Sequence, residues 1–233
     1  MITKTMTEQE ISNEIFADLD RFKTNGKMAK LLNDYHRMRT KNKISKDVSY
    51  ARCFDVVSES KNNWLFILSK APSSKKYRTT DDVNSPFLVH YESTEGVMVI
   101  KVTTSGGLDF YSSNFFNAYK EAMNLNLSNT IEIAKHFFMN NGYYSGGLIY
   151  IKDEEYALCK CKEGFLFGDI SEDKKRIKML SFISNDSSVD LNHIGNQIID
   201  SLQRSIEEQL NGTDFNREKY FVNADVSTNI RAA

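Results

Sequence analysis

The sequence predicts an α+β fold with N-terminal helices, β-hairpins, two central helices, an antiparallel β-meander and a C-terminal amphipathic helix. Three observations carry that expectation. Apolar residues recur at three- and four-residue spacing near the start, in the centre and after residue 190. Between those stretches lie short apolar or alternating runs bounded by Gly, Asn, Asp and Ser. The turns joining these runs are too short to hold the crossovers that a parallel sheet requires.

The first helix follows from Ile11, Ile15, Leu19 and Phe22, which share one face behind the capping-box pattern Thr7-Glu8-Gln9-Glu10. Residues 21–46 then carry nine basic groups (Arg21, Lys23, Lys27, Lys30, Arg37, Arg39, Lys41, Lys43 and Lys46) against the single acid Asp34. Such a run is either a phosphate-tracking surface, with Arg37, Arg39, Lys41 and Lys43 as RNA contacts, or a solvated helix and linker. From Ser49 the period becomes extended. Tyr50–Val57 and Trp64–Ser69, separated by the polar Ser58–Asn63, outline one hairpin. Ala71–Pro86, which holds both prolines of the chain, Pro72 and Pro86, reads as a mobile loop. A second hairpin, Phe87–Tyr91 with Val97–Thr103, turns at Ser93-Thr94-Glu95-Gly96.

Ser105-Gly106-Gly107 interrupts the chain before a helix over Ser113–Leu125 that buries Phe115, Phe116, Tyr119 and Met123. A further helix over Ser128–Asn140 ends before Gly142, where a left-handed residue belongs. Gly147–Lys152, Tyr156–Cys161, Phe165–Ile170 and Ile177–Ser184 form the meander. Ile194, Ile198, Leu202, Ile206 and Leu210 line one face of a last helix, which stops at Asn211-Gly212 and is expected to cover the sheet. The expected organisation is a helical basic segment over 1–47, an α+β domain over 48–212 and a polar tail over 213–233.

With 30 basic against 31 acidic side chains in 233 residues, no global field marks the chain as a nucleic-acid or membrane binder. A composition of 40% hydrophobic, 26% charged and 12% aromatic residues excludes disorder for most of it. No apolar run approaches the ~20 residues of a membrane helix, and Met1–Glu10 lacks a secretory core, so the expected compartment is the cytoplasm. Cys53, Cys159 and Cys161 are expected to be reduced, because the Cys-x-Cys spacing lacks the second pair of a zinc site. His36, His90, His136 and His193 are scattered, and no GxGxxG, GxxxxGK[ST], HExxH or GxSxG pattern occurs. No cofactor or metal is expected.

The segment Tyr111-Ser112-Ser113-Asn114-Phe115-Phe116-Asn117-Ala118-Tyr119-Lys120-Glu121-Ala122 is the most informative. Asn114, Ala118 and Ala122 recur at four-residue spacing and form one helical stripe beside the aromatic stripe. The segment resembles a pattern of bacterial toxin-like proteins of the barnase/EndoU/colicin/RelE ribonuclease superfamily, His-Phe-Phe-x-Arg-Tyr-x-x-Arg. Its aromatics fit, while Asn114 stands at the His position and Ala118 and Ala122 at the two Arg positions. Downstream, Gly164-Phe165-Leu166-Phe167-Gly168 and the strand Met179–Ser184 extend the resemblance over residues 108–200. It implies a Ser or Thr in the late strand, for which Ser181 is the match, with Lys160 and Lys162 as further basic contributors.

The resemblance implies metal-independent RNA cleavage. That chemistry needs a base for the ribose 2′-OH, for which His is suited by a pKa near neutrality, and cations for the charge developing on the phosphate. Asn exchanges no proton near neutrality, and Ala carries no charge. The chain is therefore expected to be an inactive form of a toxin or defence protein that binds RNA and pairs with an antitoxin or immunity protein. The alternative is a non-catalytic α+β interaction protein, such as an immunity or adaptor protein. Trp64 is expected as a core anchor rather than a base-stacking platform, and His136 as a surface group. Tyr111 either packs in the core or stacks on a base and assists proton transfer.

Overall fold

In the computed structural model, which describes residues 1–44, 50–70, 86–103, 106–142, 144–151, 154–173 and 175–186, the fold begins where the capping box places it. Thr7 Oγ1 accepts from the Glu10 N–H at 3.3 Å, and the Glu10 carboxylate accepts from the Thr7 N–H at 2.7 Å. The first half of the chain holds α1 (Glu8–Thr24), α2 (Lys27–Lys41), β1 (Tyr50–Val57), β2 (Asn63–Lys70), β3 (Phe87–Ser93), β4 (Gly96–Val102) and β5 (Leu108–Tyr111). Next come α3 (Ser113–Ala122), α4 (Thr130–Asn140), β6 (Tyr144–Ile151), β7 (Glu154–Cys161), β8 (Gly164–Ile170) and β9 (Arg176–Ser184). The described residues up to Leu108, with Ile131–Gly142, make one compact unit, and Asp109–Thr130 with the described residues from Tyr144 onward make the other.

In the first unit β1, β2, β3 and β4 are antiparallel neighbours in that order. Strand alternation turns Trp64 and Phe66 toward α1, where the Phe22 ring meets them edge-on at 5.5 and 5.2 Å. The opposite face, which includes Asp55 and its register partner Leu65, meets α4 through the Lys135–Asp55 ion pair at 3.0 Å. A buried carboxylate pins α1 to β2: Asp18 accepts from Asn62 Nδ2 at 2.7 Å, Trp64 Nε1 at 3.1 Å and Arg21 at 3.1 Å. Trp64 is fully buried and serves as the core anchor expected of it. Gly26, at φ 73°, takes the left-handed conformation between α1 and α2. Tyr35 holds α2 to the sheet by donating to the Tyr50 carbonyl at 2.8 Å. The division between the two units falls after Leu108, and Ile131–Gly142 rejoins the first.

In the second unit the strand order is β5-β9-β8-β7-β6, with β6 to β9 forming the expected antiparallel meander. α3 lies on β9, where the Tyr119 ring meets the Phe182 ring edge-on at 4.9 Å. Ile149, Leu158, Phe165 and Phe167 form a separate buried cluster on the other face of this sheet.

Two helix ends differ from expectation. α3 stops at Ala122 rather than Leu125, because Asn124 adopts φ 50° and the Leu125 N–H turns back to the Lys120 carbonyl at 2.9 Å. Gly142 is not left-handed; α4 closes with the Asn141 N–H on the Phe137 carbonyl, and a Cβ on Gly142 would crowd the Phe138 carbonyl at 3.0 Å. Leu108–Tyr111 is a strand that the periodicity did not reveal. The expected loop over 71–85, the final helix and the polar tail lie outside the described residues. Among those described, no helix is long and apolar enough to cross a membrane.

Candidate functional site

Ser112 caps α3 by accepting the Phe115 N–H at 3.4 Å, and this sets the rotation of the helix on the sheet. Phe115, Phe116 and Tyr119 are fully buried. Asn114 and Ala122 are exposed and Ala118 is half-buried, so the three positions form a stripe outside that core. The stripe presents an amide and two methyl groups. It can donate or accept a hydrogen bond, but it supplies neither a base that titrates near neutrality nor a cation.

Ser181 does not join the stripe. Phe182 faces α3, so its neighbour Ser181 points to the opposite face, in register with Phe167 of the separate apolar cluster. Lys160 shares that opposite face: it is the register partner of Phe165, and its ammonium sits 4.0 Å from the Phe165 ring centroid. It also donates to Asn185. Burial lowers the Lys160 pKa from the ordinary lysine value. Lys162 is exposed in the β7–β8 turn, beside Glu163, whose carboxylate accepts from the Tyr119 hydroxyl at 2.7 Å. The contact with α3 is thus made by Glu163, and the Lys162 carbonyl accepts instead from Asn185 at 3.0 Å.

Tyr111 is fully buried, which removes it as a stacking platform and puts it in the core. Its hydroxyl lies 2.6 Å from that of Tyr144, and Tyr144 donates to the buried Asp109 carboxylate. Burial, with the Asp109 charge adding to it, raises the Tyr111 phenol well above its ordinary range. Burial does the same to Tyr144, and the charges of Tyr111 and Asp109 reinforce the effect. Reasoning from sequence missed the buried Asp109 and the half-buried Tyr144 and Glu163 as polar partners. The available signal was an acid inside the apolar run Leu108-Asp109-Phe110-Tyr111.

Arg37, Arg39, Lys41 and Lys43 belong to the first unit or its edge. Arg37, Lys41 and Lys43 are exposed, whereas Arg39 is 9% exposed and turns inward beside Tyr35. Arg37 pairs with Asp34 at 3.0 Å. His136, expected at the surface, is half-buried and within hydrogen-bond distance of Asn140. All three cysteines are free. Among the described residues, no three His, Cys, Asp or Glu side chains come together as a metal-binding group. No protein-family model, curated protein or solved structure matches the chain.

Proposed function

We propose that the second unit is a ribonuclease-like toxin scaffold, carried here in an inactive form. The observation that supports this reading is the division of labour on α3. The aromatic positions of the resembled pattern, Phe115, Phe116 and Tyr119, are all buried against the sheet. The positions where the pattern has His, Arg and Arg, occupied by Asn114, Ala118 and Ala122, fall outside that core. Placed there, one imidazole and two guanidinium groups would line about 12 Å of helix, from a rise of about 1.5 Å per residue, at a spacing suited to a phosphodiester and its 2′-OH. With an amide and two methyls the same stripe has no means of taking the proton or offsetting the phosphate charge.

A second reading is a non-catalytic interaction protein, and one observation favours it: Ser181 and Lys160 lie on the sheet face away from α3. The test pairs the chain as it stands with Asn114→His/Ala118→Arg/Ala122→Arg. Growth after induction and cleavage of total RNA in the presence of a chelator are scored. Growth arrest and RNA cleavage by the triple variant alone are expected. A triple variant that is folded, harmless and unable to cut RNA rules out the ribonuclease reading and leaves the interaction protein.

A further inference from the structure

Among the described residues, α2 is held to the first unit along the side of Tyr35 and Arg39. Tyr35 is fully buried there, with Arg39 beside it, and the Tyr35 hydroxyl reaches the Tyr50 carbonyl at 2.8 Å. On the outward side Lys30, Arg37 and Lys41 are all exposed. Their separations of seven and four residues place them on one stripe, because both are close to whole numbers of helical turns. At about 1.5 Å per residue the three charges span about 16 Å, long enough to meet several successive phosphates of one strand. Lys30 and Lys41 have no ion-pair partner among the described residues. The Arg37–Asp34 pair, with Arg37 exposed and Asp34 half-buried, is of a kind worth about 1 kcal/mol, so a phosphate competes with it at little cost.

We infer that the Lys30, Arg37 and Lys41 stripe of α2 is a docking surface for the phosphodiester backbone of a nucleic acid. The stripe differs from the one that sequence alone suggests, since it includes Lys30 and leaves out the inward-turned Arg39 and Lys43, which lies beyond the end of α2. A lipid surface or an acidic protein would call for large apolar anchors beside the charges. The exposed large hydrophobic residues of the described chain, Met1, Val57 and Met139, all lie outside α2. Asn33, exposed beside the stripe, is instead suited to the hydrogen bonds with phosphate and sugar that accompany backbone contacts. The inference does not depend on the reading of α3, because a chain unable to cleave RNA can still hold a backbone.

The test is fluorescence anisotropy of the full chain with labelled oligouridylate and oligothymidylate between about 50 and 200 mM salt. The comparison is Lys30→Ala/Arg37→Ala/Lys41→Ala, with its fold checked by circular dichroism. Loss of three contacts is expected to weaken binding on the order of 50-fold near 0.15 M salt and to reduce the slope of log affinity against log salt by about two. A preference for one oligonucleotide assigns RNA or DNA, and equal affinity assigns the backbone common to both. The inference fails if the chain binds neither oligonucleotide at the lowest salt, if the folded triple variant keeps both affinity and slope, or if only phosphatidylserine vesicles are bound.

Discussion

The Tyr111 hydroxyl lies 2.6 Å from the Tyr144 hydroxyl, and the single proton of Tyr144 is already committed to Asp109. Tyr111 must therefore donate to Tyr144, which fixes the order of a buried chain running from Tyr111 through Tyr144 to the carboxylate. Tyr144→Phe removes two buried hydrogen bonds, one with Tyr111 and one with Asp109, each a loss of about 1–3 kcal/mol, whereas Tyr111→Phe removes only the first. Urea unfolding is expected to show Tyr144→Phe as the more destabilised variant by at least about 1 kcal/mol. Equal losses would mean that the two hydroxyls are not ordered in this way.

Close approach of strands makes a different demand at Gly164. A Cβ there would overlap the Ile183 carbonyl oxygen and lie 2.8 Å from the Phe182 ring. Gly164→Ala is expected to cost about 3 kcal/mol or more, since backbone cannot move aside as a side chain can. Gly106 is the control. It sits at φ 80° with nothing within 4 Å of where a Cβ would stand, so Gly106→Ala carries only the conformational cost of about 1 kcal/mol. Thermal unfolding of the two variants separates lack of space from backbone strain.

The same contrast explains what was legible in the sequence. α1, both hairpins and the meander were readable because their signals are local: a capping box at Thr7 and Glu10, turns between short apolar runs, and periodicity. β5 was not, because Leu-Asp-Phe-Tyr is too short for a period and its acid is accommodated by Tyr144, a partner 35 residues away. The stripe on α3 was readable from four-residue spacing, but the direction of Ser181 was not. A register shift between Phe167 and Gly168 changes which residues of β9 face α3, and such a shift leaves no mark in the pattern of β9 itself. The inward turn of Arg39 depends likewise on where Tyr35 docks.

Asp18 makes acid stability testable. Burial pushes its carboxyl up, but hydrogen bonds from Ser58, Asn62, Trp64 and Ser60 outweigh that and hold it below the ordinary carboxylate value. The unfolded chain thus takes up this proton first, beginning near pH 4, and the stabilisation present above that pH is lost as pH falls through the lower folded value. Asp18→Asn is expected to lower stability at neutral pH and to flatten the acid limb of a stability-against-pH curve. Part of that limb persists, because Glu14 is also held low, chiefly by its contact with the Met1 ammonium. An unchanged acid limb would remove Asp18 from this role.

His90 carries the same sign into a milder range. Burial lowers its pKa, Lys135 adds to the effect, and Asp55 and Glu92 oppose it. The unfolded imidazole protonates near pH 6.5 and the folded one only at lower pH, so stability begins to fall below about 6.5. His90→Gln is expected to abolish the decline between that point and the carboxylate range. Retention of the decline in the variant would assign it to another group.

Cys53 reports on the electrostatics beneath α4. Burial, then the Asp55 charge, pushes its thiol up to about 11, and Lys135 acts in the opposite direction. At pH 8 roughly one thiol in a thousand is then ionised, against about one in four for an ordinary thiol of pKa near 8.5, so Cys53 is expected to react with a disulfide reagent on the order of a hundredfold more slowly than a free cysteine. Asp55→Asn removes the repelling charge and is expected to speed the reaction. Lys135→Met removes the favourable cation and is expected to slow it. Cys159 and Cys161, both buried, become reactive only when urea unfolds the chain. If Asp55→Asn and Lys135→Met shift the Cys53 rate in the same direction, opening of the α4 packing rather than local charge controls the thiol.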